Sequence, residues 1–296
     1  MTDIDAKSAL QPVDSAGAAP KDIASGWVSV RVVHTGAVLH VTLNRPESRN
    51  AMSLQMVAEL QQVLRAAEAS AGTPTAVRVV VLRGEGCHFC AGADLKDMAG
   101  ARMRAMQRAA GEPDPIAEVN AEFGRLCAAY ANTPLAVVAV LEGTVMGGGF
   151  GLACVADVAI ASDTASFRLP ETSLGVVPAQ IAPFLVERLG YSQAKRLAVT
   201  GGRLDAAAAL GLGLVHEVTT PDGLQVALNN VLADILACAP GALAATKSLM
   251  QRARFAPPHD LVQEAAQVFA QSAQGPEGLE GMTAFIQKRK PNWTPT

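Results

Sequence analysis

Two glycine-containing turns constrain this chain more than any other feature. The first is Phe89-Cys90-Ala91-Gly92-Ala93-Asp94-Leu95, and the second is Glu142-Gly143-Thr144-Val145-Met146-Gly147-Gly148-Gly149-Phe150-Gly151. Each follows an apolar, β-branched run that reads as a buried strand, residues 77–82 and 135–141, and each precedes helical sequence. Small residues let a backbone approach a ligand closely. Free N–H groups at a helix start point outward with partial positive charge. Two of them aimed at one point would stabilise a carbonyl oxygen that gains negative charge. Taken singly, each turn is equally well an ordinary tight connection. The glycine run 147–149 lacks the G-x-G-x-x-G spacing and the Lys-Ser/Thr of a P-loop, which argues against nucleotide binding.

The rest of the chain supplies a frame for those turns. Residues 27–33 and 37–43 read as a hairpin turned at His34-Thr35-Gly36. Ser53 reads as a helix N-cap, and Leu54, Val57, Leu60, Leu64 and Ala67 follow on one apolar face. Residues 100–118, with Gly111, Pro113 and Pro115, look mobile, and 119–131 look helical. The glycine run opens a short helix to Val155, and strands follow at 158–161 and 215–218. After Pro221 the strand signals vanish, leaving helices broken at Pro240, Pro257-Pro258 and Gly275-Pro276. The organisation expected is a disordered extension over 1–25, an α/β core over 26–220 and a helical segment over 221–296. Such alternation alone says little about function.

Composition narrows the classes. The chain has 296 residues and is 50% hydrophobic, enough for one large core. Only 17% of residues are charged, against a usual ~25%, so part of the surface is expected to be covered by further copies of the chain. Net charge is −3, and the strongly basic run, Lys288-Arg289-Lys290, comes near the end, so no nucleic-acid partner is expected. Cys87 and Cys90 form a C-x-x-C with no second pair or His cluster, so no metal is expected. Five cysteines, an odd number, fit reduced thiols and a cytoplasmic location better than a secreted framework. No apolar run reaches the ~18 residues of a membrane helix, and the start lacks the pattern of a signal peptide.

Read together, the segments CAGADL, EGTVMGGGFGLACVADVAIA, FRLPETSLGVVP and RLGYSQAKRLAVTGGRLDAAAALGLGLVHEV resemble the enoyl-CoA hydratase/isomerase (crotonase) family in order and spacing. The resemblance covers residues 27–220 well and the helical tail more loosely. It implies a spiral of ββα units and a C-terminal helical segment that builds a homotrimer or a dimer of trimers. It also implies an acyl-CoA substrate, with coenzyme A as part of that substrate and no separate cofactor. By motif position, the backbone N–H groups of Ala93 and Gly148 would hold the thioester oxygen, within the small-residue turns that carry Ala91 and Gly147. For the CoA moiety it implies Arg45 and Arg49 at phosphates, Ala51 near the adenine, and Asp94, Leu95 and Lys96 along the pantetheine and adenine side, Arg49 being equally well a solvated surface residue. Lys288 would reach a neighbouring subunit's CoA. His88, Cys90 and Asp157 read as structural.

The acid–base residues depart from the pattern. The best-known hydratases of the family carry two glutamates. One of those places is Gly151 here, which cannot transfer a proton; the other is Glu171. The departure leaves a one-glutamate hydratase, a Δ3,Δ2-enoyl-CoA isomerase or a non-catalytic acyl-CoA binder open. The run Ala179-Gln180-Ile181-Ala182-Pro183-Phe184 stands where most hydratases have a glycine-rich turn. With GGGFGLAC it is similar to the branch that hydrates isohexenylglutaconyl-CoA and methylglutaconyl-CoA. Such substrates carry a second carboxylate, for which Gln180 is the candidate partner.

Overall fold

The computed structural model describes residues 23–295. Nine strands lie among them: β1 (Val30–Thr35), β2 (Val38–Leu43), β3 (Val79–Gly84), β4 (Ala136–Leu141), β5 (Thr144–Met146), β6 (Val158–Ser162), β7 (Ser166–Arg168), β8 (Arg203–Asp205) and β9 (Glu217–Thr219). The helices are α1 (Leu54–Ala69), α2 (Leu95–Met106), α3 (Pro115–Asn132), α4 (Gly148–Val155), α5 (Ala182–Thr200), α6 (Ala206–Gly211), α7 (Leu224–Ala237), α8 (Pro240–Ala253), α9 (Pro258–Gln274) and α10 (Pro276–Ile286).

The strands form a large sheet in the order β1-β2-β3-β4-β6-β9 and a small one in the order β5-β7-β8. Only β1 runs antiparallel to its neighbour in the large sheet. From β4 onward the chain passes repeatedly from one sheet to the other, and that alternation is the spiral. Both faces of the large sheet are covered, which is why its strands read as continuous apolar runs. On β3, Val80 and Leu82 enter one core with α1 and α4, while Val79 and Val81 meet Leu224, Leu228 and Leu232 of α7.

The hairpin, the Ser53 cap and the helical segment broken at prolines are all present, although the hairpin turns at Gly36-Ala37, His34 and Thr35 being paired within β1. Ser53 accepts the N–H of Met56 at 3.1 Å. α1 then buries Met56, Val57, Leu60, Val63, Leu64 and Ala67, each large apolar side chain contributing roughly 1.5–3 kcal/mol. The irregular reading of residues 100–118 is corrected. α2 runs to Met106 and α3 starts at Pro115, capped by Asp94 and Asp114 respectively. α2 buries Ala101 alone, so no apolar stripe marked it as a helix. β5, β7 and β8 were invisible for another reason: three residues are too few to show a period.

The expected disordered extension falls, for residues 1–22, outside the described residues. Within its last three positions, Ile23 packs against the main core and its carbonyl accepts the Trp27 indole N–H at 2.8 Å. No single described helix is long and apolar enough to cross a membrane.

Candidate active site

The two glycine turns lie side by side. Cys90 N–H donates to Thr144 O at 3.0 Å, and Met146 N–H donates to Cys90 O at 2.9 Å, so the first turn runs as a short parallel rung along β5. A second rung joins the same turn to the start of α1: Met52 N–H donates to Gly92 O at 2.7 Å and Asp94 N–H to Met52 O at 3.0 Å. Between those rungs the N–H of Ala93 takes no hydrogen bond among the described residues. Nor does that of Gly148, the first residue of α4.

Glycine is needed at both crossings. Gly92 has φ +97°, and a Cβ there would sit 3.3 Å from Met146 O. Gly147 has φ +49°, and a Cβ there would sit 3.1 Å from Glu171 Oε1 and 3.6 Å from the Gly92 Cα. The carboxyl of Glu171 therefore lies against the glycine that precedes the free Gly148 N–H.

Glu171 opens a short 3-10 turn directly after Pro170. Its Oε2 is buried and takes no hydrogen bond. Burial lifts the carboxyl above the ordinary glutamate range, against the smaller pull of its own backbone N–H. An unpaired carboxyl of raised pKa beside free N–H donors is suited to proton transfer near neutral pH.

Gly151 faces the opposite situation. A Cβ there would collide with Ile181 and come within 3.3 Å of Phe123 Cζ. The space for a second acid is filled by hydrocarbon from α3 and from the turn before α5. Neither Phe123 nor Ile181 was singled out from the sequence, because nothing local marks an apolar residue as the filler of a distant gap.

The residues proposed for the CoA moiety gather at the first turn. Arg45 Nη2 meets Asp94 Oδ2 at 2.7 Å and Arg45 Nη1 donates to Ala51 O at 2.5 Å. Asp94 also caps α2 by accepting Lys96 N–H at 2.8 Å. Burial raises the Asp94 carboxyl, but this N–H and the Arg45 guanidinium outweigh it and hold the group below the usual carboxylate range. Arg45, Asp94 and Lys96 line a groove of about 440 Å³ together with Ser53. Ala93, Gly148 and Glu171 do not line that groove; the residues just before the first two, Gly92 and Gly147, lie against each other where the turns touch, with the Glu171 carboxyl beside Gly147. Leu95 is exposed beside it, as is Arg49, while Ala91 donates its N–H to Arg49 O. Gln180 is half-buried against Gly124, and its amide donates to Asn120 Oδ1 at 2.8 Å. Lys288 lies just beyond α10, in a left-handed conformation.

One positioning residue went unnoticed. Asn50 is fully buried; it accepts Arg45 N–H at 2.9 Å and donates to Glu85 O at 2.9 Å and His88 O at 2.7 Å. It fixes the approach to the first turn. The signal was available: an Asn at the end of a polar run, Glu47-Ser48-Arg49, ahead of a helix cap suits the left-handed conformation it adopts, φ +57°. His88 joins the turns, its Nδ1 accepting Thr144 N–H at 3.1 Å. Asp157 accepts Val137 N–H and pairs with Lys247 at 2.6 Å. Among the described residues, no group of three or more His, Cys, Asp or Glu is arranged to hold a metal ion.

The enoyl-CoA hydratase/isomerase family profile matches residues 34–296. The 2,3-dehydroadipyl-CoA hydratase of Escherichia coli (strain K12) is 34% identical over 259 residues, 86% of this chain and 94% of that one. Mevalonyl-coenzyme A hydratase sidH of Aspergillus fumigatus is 31% identical over 268 residues, 88% and 93% of the two chains. Among solved structures, Pseudomonas aeruginosa AtuE matches with a TM-score of 0.85 at 48% identity, covering 90% of this chain and all of that one. An enoyl-CoA hydratase/isomerase from Marinobacter aquaeolei gives 0.84, also at 48% identity, over 90% and 99%. The chain belongs to the enoyl-CoA hydratase/isomerase family and has the crotonase fold. It is an enzyme of the enoyl-CoA hydratase type, and its substrate class is the coenzyme A thioester.

Proposed function

We propose that this enzyme adds water across a conjugated 2-enoyl-CoA thioester using one glutamate, Glu171. The observation that carries the reading is the half-buried Glu171 carboxyl, its Oε2 shielded and without a hydrogen-bond partner and its Oε1 against Gly147. The thioester oxygen accepts the N–H groups of Ala93 and Gly148. Glu171, as carboxylate, takes a proton from water while the water oxygen bonds to C3. The electron pair of the double bond moves toward the thioester oxygen, where the two N–H groups stabilise it; a donor of this kind is worth ~3–4 kcal/mol. Protonated Glu171 then gives its proton to C2, which restores the carboxylate and completes the hydration.

A branched glutaconyl-type acyl group is the substrate we favour. The motif around Gln180 supports it, as does Ile181, which takes the room of a second acid and narrows the site to one carboxylate. Arg45, Ala51, Asp94, Leu95 and Lys96 serve the CoA moiety in this reading, Arg45 through a guanidinium already ordered by Asp94. The exposed Phe255, Phe269 and Phe285 of the helical segment suit a trimer face.

A single carboxylate also suits an isomerase, which moves one proton between C2 and C4. Mass spectrometry after incubation with 3-methylglutaconyl-CoA and crotonyl-CoA separates the readings. Gain of one water, lost in Glu171→Gln, is the expected result. Deuterium exchange at C2 and C4 of a 3-enoyl-CoA without water gain would transfer the assignment to an isomerase, and no reaction at all would leave an acyl-CoA binder.

A further inference from the structure

Helix α4 has a free N–H at its first residue and little near that end to hold it in place. Gly148, Gly149 and Gly151 have no side chain, and no side chain caps the N-terminus. The helix is eight residues long, about 12 Å from end to end, and residues 149–155 are buried. Its far end makes a demand of its own. The last four carbonyls of a helix have no N–H partner within it, and a buried end without donors costs free energy.

One side chain answers that demand. Arg188 of α5 donates from Nε to Cys154 O at 3.2 Å, and from Nη2 to Ala153 O at 3.1 Å and to Ala156 O. Its direction follows from the sequence: Leu185, one turn back on the same face, is buried in the main core, so the face that carries Arg188 turns inward. The guanidinium is half-buried and forms no ion pair among the described residues. Asp157 attracts it, but that carboxylate is taken by Lys247 and the Val137 N–H. Nη1 lies 3.1 Å from His216 Nε2. His216 Nδ1 accepts the Ala159 N–H at 3.0 Å, which puts the proton of the neutral ring on Nε2 and leaves no acceptor there. The hydrogen bonds of this cation thus go to the carbonyls at one helix end, the end that carries partial negative charge.

We infer that Arg188 is a positioning residue that holds α4 from behind, so that the Gly148 N–H meets the thioester oxygen. The inference rests on the reading of that N–H as an oxyanion donor. The guanidinium and the N–H stand at the two ends of one two-turn helix. Three hydrogen bonds at the C-terminal end fix the helix where glycines leave the N-terminal half without side chains to do so. The fixed cation also favours negative charge at the opposite end, where the thioester oxygen gains it. Neither effect needs contact with substrate. A donor that drifts from the place where charge develops loses rate rather than binding.

The test reads the donor itself. Crotonyl-CoA, isotopically labelled at its carbonyl carbon, is bound to Glu171→Gln, which holds it unreacted. The carbonyl stretch is recorded by difference infrared spectroscopy in that protein and with Arg188→Lys or Arg188→Met added. With Arg188 the stretch should lie below its value in water; with Met it should move back toward that value, and with Lys it should fall between. With Glu171 intact, Arg188→Met should lower kcat for crotonyl-CoA hydration roughly 10-fold and leave KM within about 2-fold, a smaller loss than the ~10²–10³ of a donor removed outright. Arg188→Lys should recover part of it. Should Arg188→Met fail to fold by circular dichroism, the Lys variant, which keeps the charge and loses the fork, carries both comparisons. A lower thermal midpoint with stretch and kcat unchanged would make Arg188 a cap of the fold alone and overturn the inference, as would a rise in KM alone. A wild type that binds the thioester and hydrates nothing would overturn the hydratase reading, and the stretch would still decide for or against Arg188. A stretch equal to that in water in every form would overturn the oxyanion reading and this inference with it.

Discussion

Two positions flank the same glycine turn and have opposite fates. At Glu171, a half-buried carboxyl keeps one oxygen shielded and without a partner, and its proton is held more tightly than in water. At Gly151, even a methyl group would collide with Ile181. The first place keeps an electrostatic cost that a stable fold would remove; the second has had its polar group removed and the space packed. Residues that lower stability without structural return concentrate where chemistry happens. The contrast says which side of the turn still works.

The largest expected effect breaks the first half of the contrast. Glu171→Gln should lower kcat by roughly 10²- to 10⁴-fold, the usual contribution of a positioned acid–base group. It should do so without loss of fold. Glu171 has a raised pKa in the folded state, so its stability contribution is complete below the unfolded pKa and is lost as pH rises through the folded one. Gln removes that loss. The thermal midpoint of the variant should equal or exceed that of wild type at pH 8, with a smaller difference at pH 4. In wild type, kcat/KM should fall as pH drops through the raised Glu171 value, because the base must be ionised. A variant that loses activity and also melts lower at pH 8 would make Glu171 a structural group.

The second half is tested at Gly151. Gly151→Glu should not supply a second acid, because its side chain enters space held by Ile181 and Phe123. Overpacking of this kind costs roughly 1–3 kcal/mol. Pairing it with Ile181→Ala should give back part of that loss, a coupling of roughly 0.5–3 kcal/mol in a denaturant double-mutant cycle. Strictly additive losses would mean that the two side chains do not compete for one space.

The sequence displayed one of these two positions more openly than the other. Glu171 sits in a motif, between Pro170 and Thr172, and could be picked out by its place. That Gly151 lacks a carboxyl was also plain. What fills the gap was not, because Phe123 and Ile181 are distant in sequence and meet it only after folding. The same division runs through the fold. Long apolar strands and proline-broken helices were legible because burial imposes a period over many residues. The three-residue strands β5, β7 and β8 were not, although they carry the site. Helical sequence was expected after Leu95, but the course of α2 past residue 100 escaped because almost none of its face is buried.

A smaller effect is expected where the turn is only supported. Asn50→Ala removes three part-buried hydrogen bonds and leaves the carbonyls of Glu85 and His88 unanswered. It should cost roughly 1–3 kcal/mol in urea unfolding. It should also lower kcat more than it raises KM, since the Ala93 N–H works only if its turn is held in place. An effect on KM alone would mean that Asn50 serves the CoA groove through Arg45 instead.

The smallest effect belongs to His88, the titratable side chain that most invites a catalytic role. Its Nδ1 accepts the Thr144 N–H, and that bond holds the second turn to the first. The ring also closes the space beside Gly143, where a Cβ would touch Nδ1 at 2.5 Å. A nitrogen that already accepts a hydrogen bond from a backbone N–H has no lone pair left there for water. His88→Ala should therefore cost about 1 kcal/mol of stability, the worth of one buried hydrogen bond, and lower kcat a few-fold by loosening the turn. The shape of the kcat/KM profile against pH should stay that of wild type, with the single limb set by Glu171. If that limb moved or a new one appeared, a second proton carrier would be present at the turn, and the contrast between one working carboxyl and one packed gap would no longer describe the site.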